Sequence, residues 1–183
     1  NIIHRDLKPA NILLDDYLFP KISDFGLSKQ IFENQTQNNS GFKGTYAYTA
    51  PEVFEGKYSK AGDVYSFALI VYEIITSEII YPNFHQYQVM TQVRNGFRPP
   101  FNYPIPSCYK KLITDCWNND PHQRPTFDEI VYRLKNNSSF ITENVDKEEF
   151  LNYISLVEDQ IESKPFHSIS IDMNKIQSIK KDE

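Results

Sequence analysis

The chain has 183 residues, 40% hydrophobic and 23% charged, a balance that supports one packed domain plus a tail and excludes wholesale disorder. A formal net charge of −5 with no basic stripe argues against a nucleic-acid partner. No apolar run reaches membrane-spanning length and no signal peptide is visible; with only Cys108 and Cys116, neither at metal-ligand spacing, a reducing intracellular (cytoplasmic) setting is expected.

In chain order, the first residue is Asn1 rather than Met, which suggests a preceding segment. Ile12-Leu13-Leu14, the turn signal Asp15-Asp16, and Lys21-Ile22 predict a small β-hairpin. From Lys29 to Phe42 the sequence is rich in Asn, Gln and Ser without periodicity, which predicts a surface loop. From Ala61 to Ile75 the residues Val64, Phe67, Leu69, Ile70, Val71, Ile74 and Ile75 wrap every side of a helix, so it should be the buried central post. Its Asp63 and Glu73 argue against a membrane span.

Three further helices follow. One runs from about His85 to Arg94 with Val89, Met90 and Val93 inward and Gly96 just past its end. Another starts with Ser107 as N-cap and buries Leu112, Ile113, Cys116 and Trp117. The last opens on Thr126 with Glu129 three residues on, a capping box, ahead of Ile130, Val131 and Leu134. Beyond Asn136 the composition turns charged; Phe150, Ile154, Val157 and Ile161 predict an amphipathic helix over 146–162, more often docked on its own domain than offered to a partner. The resulting division is a domain over 1–136 and an extension over 137–183.

Three short motifs carry the chemistry. His4-Arg5-Asp6-Leu7-Lys8-Pro9-Ala10-Asn11 fits a catalytic loop in which an Asp is followed two residues on by Lys and five on by Asn. Asp24-Phe25-Gly26 follows the hairpin, and Ala50-Pro51-Glu52 closes the segment after the loop. Each tripeptide alone is a weak signal; their order, their separations and the hairpin between the first two make the set specific.

On these residues the chain resembles the eukaryotic protein kinases over about residues 1–136, which implies a mainly α (α+β) C-terminal lobe with a small β-hairpin at the catalytic loop and no N-terminal lobe. Asp63-Val64-Tyr65-Ser66-Phe67, Cys116-Trp117, Asp120-Pro121 and Arg124-Pro125-Thr126 extend the likeness and are most similar to the tyrosine-kinase-like group, whose members mostly act on Ser and Thr. The resemblance implies ATP and Mg²⁺ as cofactors and protein Ser/Thr hydroxyls as substrates. The general scheme of phosphoryl transfer needs little covalent chemistry and much charge stabilisation. The residue roles implied are Asp6 as acceptor of the substrate hydroxyl proton, Lys8 against the γ-phosphate, and Asn11 and Asp24 as metal ligands.

The same resemblance implies that His4 supports the loop, that Asp63 holds its backbone, and that Glu52 and Arg124 form a buried ion pair. Lys8 and Thr45 fit the Ser/Thr rather than the tyrosine pattern. Arg5 beside Asp6 implies control by a phosphorylated residue, with Thr36 or Ser40 as the expected site for an upstream activating kinase; both also read as solvated loop residues. Cys108 and Cys116 read as packing residues.

The departures are large. The sequence contains no G-x-G-x-x-G loop and no strand lysine for the α/β-phosphates, so these 183 residues alone are expected to bind ATP poorly and to be inactive. The competing reading is a non-catalytic module, a pseudokinase-like or truncated lobe that docks partners. The presence of Asp6, Lys8, Asn11 and Asp24 together favours the enzyme.

Overall fold

The computed structural model describes residues 2–30, 37–38, 44–143 and 145–163. They are mostly helical, with three antiparallel pairs of short strands. β1 (Ile2–Ile3) pairs with β4 (Lys29–Gln30), β2 (Ile12–Leu14) with β3 (Pro20–Ile22), and β5 (Gln37–Asn38) with β6 (Lys57–Tyr58). The helices are α1 (Lys60–Thr76), α2 (Gln86–Arg94), α3 (Ser107–Cys116), α4 (Phe127–Asn136) and α5 (Lys147–Ser163). Two compact units emerge, Asn1–Phe140 and Ile141–Glu183.

The predicted hairpin is β2–β3, in register Ile12↔Ile22 and Leu14↔Pro20. Its turn is built by Asp15, whose Oδ1 accepts the N–H groups of Tyr17 (3.0 Å) and Phe19 (2.9 Å), the local Asx bonding that favours turns. The expected loop over 29–42 instead contributes two strands of two residues each, β4 and β5, which a periodicity of two cannot reveal at that length.

α1 is the centre of the first unit. Val64, Tyr65, Ala68, Leu69 and Tyr72 are buried along it, and it packs most extensively on α3. Fully burying a side chain such as Leu69 contributes roughly 1.5–3 kcal/mol. The helix ends where Ser77 turns left-handed (φ 55°) and donates its N–H to the Glu73 carbonyl at 2.8 Å. At its start Gly62 lets the 51–55 turn come close, since a Cβ there would lie 3.3 Å from Val53 Cγ2. Ile74 departs from the all-round burial expected: it is 71% exposed, because no described residue covers that face.

α2 buries Val89 and Val93 and leaves Met90 half-buried; its first turn is closed by a bond the sequence reading did not include, His85 N–H to Gln88 Oε1 at 2.8 Å. α3 buries Leu112, Ile113 and Cys116, with Trp117 closing it. Ser107 is not its N-cap. Pro106 takes that position and Ser107 is the first helical residue, because the extended backbone at Pro106 presents its carbonyl to Lys110 N–H at 3.0 Å. The capping box of α4 forms as predicted: Glu129 Oε2 accepts Thr126 N–H at 2.7 Å, and Thr126 Oγ1 accepts Glu129 N–H at 3.2 Å. In the second unit, α5 starts on Asp146, whose Oδ1 accepts Glu149 N–H at 2.8 Å; Phe150, Ile154 and Val157 are half-buried along one stripe, while Leu151 and Leu156 on the other side are exposed.

Candidate active site

The catalytic-loop motif is shaped by a proline. Lys8, before Pro9, is held extended (φ −162°, ψ 162°), and Pro9 opens a single 3₁₀ turn over Pro9–Asn11. That turn, closed by Asn11 N–H on the Lys8 carbonyl at 3.0 Å, brings Asn11 back over Asp6. Asn11 Nδ2 donates to the Asp6 carbonyl oxygen at 2.8 Å and, at 3.4 Å, to its carboxylate.

Asp6 is the hub. Its side chain is 9% exposed and its four lone-pair sites are taken. Oδ1 accepts Thr45 N–H at 2.9 Å and Thr45 Oγ1–H at 2.8 Å; Oδ2 accepts Lys8 Nζ at 2.8 Å and the longer Asn11 bond. Lys8 Nζ also donates to Thr45 Oγ1 at 2.9 Å, so three side chains close a ring. Burial pushes the Asp6 carboxyl up, but the bonds from Lys8 and Thr45 outweigh it and hold the group below its ordinary range. Asp6 is therefore ionised at neutral pH, and the long Asn11 bond is the weakest of its four.

The loop hangs on α1. Asp63 accepts the backbone N–H of His4 at 2.7 Å on Oδ2 and that of Arg5 at 2.9 Å on Oδ1. Burial raises the Asp63 carboxyl above its ordinary value even though both N–H groups oppose the shift. Arg5 is left-handed (φ 73°), a conformation costly for a side chain that bears Cβ, and the two bonds to Asp63 hold it there. We expect Asp63→Asn, which leaves one of the two donors unmatched, to cost about 1–3 kcal/mol in urea unfolding followed by Trp117 fluorescence.

Ser23, just before Asp24, donates its N–H to the Asn11 carbonyl at 2.8 Å, and its own carbonyl accepts His4 Nε2 at 2.9 Å. His4 Nδ1 accepts Asp6 N–H at 3.4 Å, which assigns the ring proton to Nε2. Phe25, just after Asp24, meets the His4 ring edge-on at 5.1 Å. Asp24 thus sits between two residues anchored to the catalytic loop, itself left-handed (φ 58°), exposed, and accepting Gly26 N–H at 3.3 Å on Oδ1. Asp24 Oδ2 and Asn11 Oδ1 take no hydrogen bond among the described residues. One carboxylate and one amide oxygen suit Mg²⁺ held jointly with nucleotide phosphates rather than a protein cage. Among the described residues no three His, Cys, Asp or Glu side chains stand together as a metal cage.

The remaining predicted positions fall as follows. Arg124 donates to both oxygens of Glu52, at 2.7 and 2.8 Å; the Arg side chain is fully buried and Glu52 is 12% exposed. The Arg5 side chain makes no ion pair among the described residues, although its charge acts on the Asp63 carboxylate; its guanidinium lies 4.3 Å over the Tyr58 ring, whose backbone pairs with Gln37. Thr36 and Ser40 lie outside the described residues. Cys108 and Cys116 are free thiols; Cys116 is buried, which pushes its thiol up to about 12 and leaves it inert. Tyr48, Ser66 and Tyr58, which also bear on the site, were not legible as such. Nor was Glu73, in the last turn of α1, whose Oε2 accepts the Tyr48 hydroxyl at 2.8 Å; the signal was a carboxylate among apolar neighbours, which calls for a polar partner.

A helical lobe that carries this loop, hairpin and closing turn around one central helix is the C-terminal half of a protein kinase. Residues 1–134 match the family model described as protein tyrosine and serine/threonine kinase, and the chain belongs to that family. It is similar to the probable serine/threonine-protein kinase drkC of Dictyostelium discoideum, 41% identical over 138 residues, which is 73% of this chain and 18% of the relative. The serine/threonine-protein kinase VIK of Arabidopsis thaliana is 43% identical over 148 residues, 73% of this chain and 32% of the relative. The dual specificity protein kinase shkE of Dictyostelium discoideum is 40% identical over 138 residues, 73% of this chain and 19% of the relative. The chain spans less than a third of the length of these relatives.

Proposed function

We propose that this chain supplies the catalytic loop and substrate-side lobe of an ATP-dependent serine/threonine protein kinase. The observation that carries the reading is the Asp6 carboxylate, kept ionised and aimed by Lys8 and Thr45. Asp6 orients a Ser or Thr hydroxyl and takes its proton late, since a carboxylate of low basicity is a weak base but a strong acceptor. Lys8 offsets charge growing on the transferred phosphoryl oxygens. Asn11 and Asp24 would hold Mg²⁺, which would supply charge neutralisation across the nucleotide phosphates. The Lys8–Thr45 bond favours Ser/Thr over Tyr, and Arg5 would receive a phosphate from an upstream kinase placed on Thr36 or Ser40.

The kinase portion is placed at 1–136 and the extension at 137–183, supported by a family match that ends at residue 134. An intracellular enzyme suits two free thiols, and no described helix is long and apolar enough to cross a membrane. Leu13, Leu14, Ile22 and Phe25, each at least 50% exposed, leave apolar surface on and beside the hairpin that suits the seat of a nucleotide-binding lobe.

The test is phosphate transfer from ATP to Ser, Thr and Tyr peptides, with the product of the complete reading frame and with residues 1–183 alone. The complete product should modify Ser/Thr peptides at least about tenfold faster than Tyr peptides, and the 183-residue chain should be inactive. Preferential transfer to Tyr would overturn the specificity. An inactive complete product that still binds partners would favour the non-catalytic reading, against which the full set of Asp6, Lys8, Asn11 and Asp24 weighs.

A further inference from the structure

A groove of about 580 Å³ opens between α3 and α4, walled by the 3₁₀ turn Ser138–Phe140, and it shares no residue with the Asp6 site. Leu112 and Phe140 are buried and give it an apolar floor, while Tyr132 is exposed at its rim. The wall is held by the protein's own bonds. Cys108 Sγ–H donates to the Ser139 carbonyl at 3.0 Å, the Tyr109 hydroxyl donates to the Phe140 carbonyl at 3.0 Å, and the Tyr109 and Phe140 rings meet edge-on at 5.1 Å. A preformed cleft of several hundred cubic ångströms, apolar with a few polar groups, has the make-up of a ligand site.

Three of the polar groups are charged. Lys111 and Arg133 both pair with Asp115: Lys111 Nζ lies 3.1 Å from Oδ1, and Arg133 Nη1 lies 2.7 Å from Oδ2. No other charged side chain lines the groove among the described residues, so two cations face one carboxylate. The excess is a single positive charge, on a chain whose formal net charge is −5. Asp115 occupies only Nη1 of the guanidinium; Arg133 Nε and Nη2 have no acceptor among the described residues. Such donors receive a planar carboxylate in pairs. The charge balance also selects among anions. One carboxylate cancels the excess, whereas a phosphate with nearly two charges would leave one unmatched beside Asp115. Lys111 and Tyr132 are exposed, so the groove is open to a segment that continues on either side of it.

We infer that the groove between α3 and α4 docks a short acidic peptide segment of a partner protein: a Glu or Asp carboxylate on Arg133 and Lys111, and a large apolar side chain next to it on Leu112, Phe140 and Tyr132. Burial of the apolar side chain supplies affinity. The carboxylate supplies selectivity, because an uncharged isostere leaves the excess charge of the groove unmatched. Such docking uses no part of the Asp6 site.

The probes are three fluorescein-labelled peptides: Ala-Phe-Glu-Leu-Ala, the same peptide with Gln for Glu, and the same with phosphoserine there. Their affinities for the product of the complete reading frame are read by fluorescence anisotropy. The Glu peptide should bind at least about tenfold more tightly than the Gln peptide, the range of a hydrogen bond to a charged group, and at least as tightly as the phosphoserine peptide. Arg133→Gln should erase the preference for Glu. Should that variant fail to fold, Lys111→Gln, at an exposed position, should at least halve the preference and is read the same way. Asp115→Asn removes the competing carboxylate and should tighten the Glu peptide by about tenfold. An unchanged or weakened affinity there would make the three side chains a structural network and overturn the inference. So would equal affinity for Glu and Gln, binding of none of the three, or a preference for phosphoserine. Asp6→Asn should leave all three affinities unchanged; a peptide whose affinity moves with it sits at the Asp6 site, which also overturns the inference. Phosphate transfer is measured separately, so a failed kinase reading leaves the groove to be decided by binding alone.

Discussion

Asp6→Asn, made in the product of the complete reading frame, should lower kcat for a Ser peptide by about 10²–10⁴-fold, the range that a positioned acid–base group contributes. The loss has two sources. The group proposed to take the hydroxyl proton is gone, and the amide that replaces it cannot fit the site. Asp6 is surrounded by donors alone: Thr45 N–H and Oγ1–H face Oδ1, and Lys8 Nζ and Asn11 Nδ2 face Oδ2. An Asn amide turned either way places its NH₂ against donors, so the ring with Lys8 and Thr45 opens. Fold and nucleotide binding should survive, since Asp6 contributes no core contact and Asp24 and Asn11 keep their oxygens. The measurement is kcat and KM for ATP beside a melting curve. A variant that keeps activity within about tenfold of the parent would remove Asp6 from the chemistry.

That hub was legible in part. The spacing within His4–Asn11 identified the loop, because it is a property of a few consecutive residues; the turn that Pro9 opens was not read. The hairpin was equally local. What holds the loop in place is not local: Asp63 reaches His4 across 59 positions, and Arg124 reaches Glu52 across 72. Such partnerships followed from the family resemblance and not from periodicity, which reports faces of elements and not their neighbours. The Tyr48–Glu73 bond escaped for the same reason, with one end in a stretch of no regular pattern. Ile74 shows the reverse limit. The apolar pattern of α1 announces burial on every side, but a helix cannot signal which face its own chain leaves uncovered. At Ser107 the residue type suggested a cap, and a proline one position earlier, with its extended backbone, took the role instead.

The second large effect belongs to Arg124. Arg124→Leu should destabilise the chain by about 3–5 kcal/mol, the cost of breaking a buried pair from one side. Glu52, only 12% exposed, would lose both of its donors. The carbonyls of Asn118 and Ala61 would also lose the bonds that Arg124 makes to them, each at 2.8 Å. Tyr65, whose ring lies 5.1 Å from this guanidinium and 4.9 Å from that of Arg98, would keep only one cation. Glu52→Gln should fall in the same range, because it strands a guanidinium that is fully buried. The double variant should be less unstable than the sum of the two by about 1–3 kcal/mol, the coupling expected of residues in direct contact. Trp117, the single tryptophan and 6% exposed, reports urea unfolding directly. The pair also ties the 51–55 turn to the start of α1 and the approach to α4, and that turn continues the segment that bears Thr45. In the product of the complete reading frame, Arg124 variants should therefore lose any phosphotransfer at temperatures where most of that protein is still folded. An Arg124→Leu cost below about 1 kcal/mol would show that the pair is replaceable by solvent, contrary to its burial.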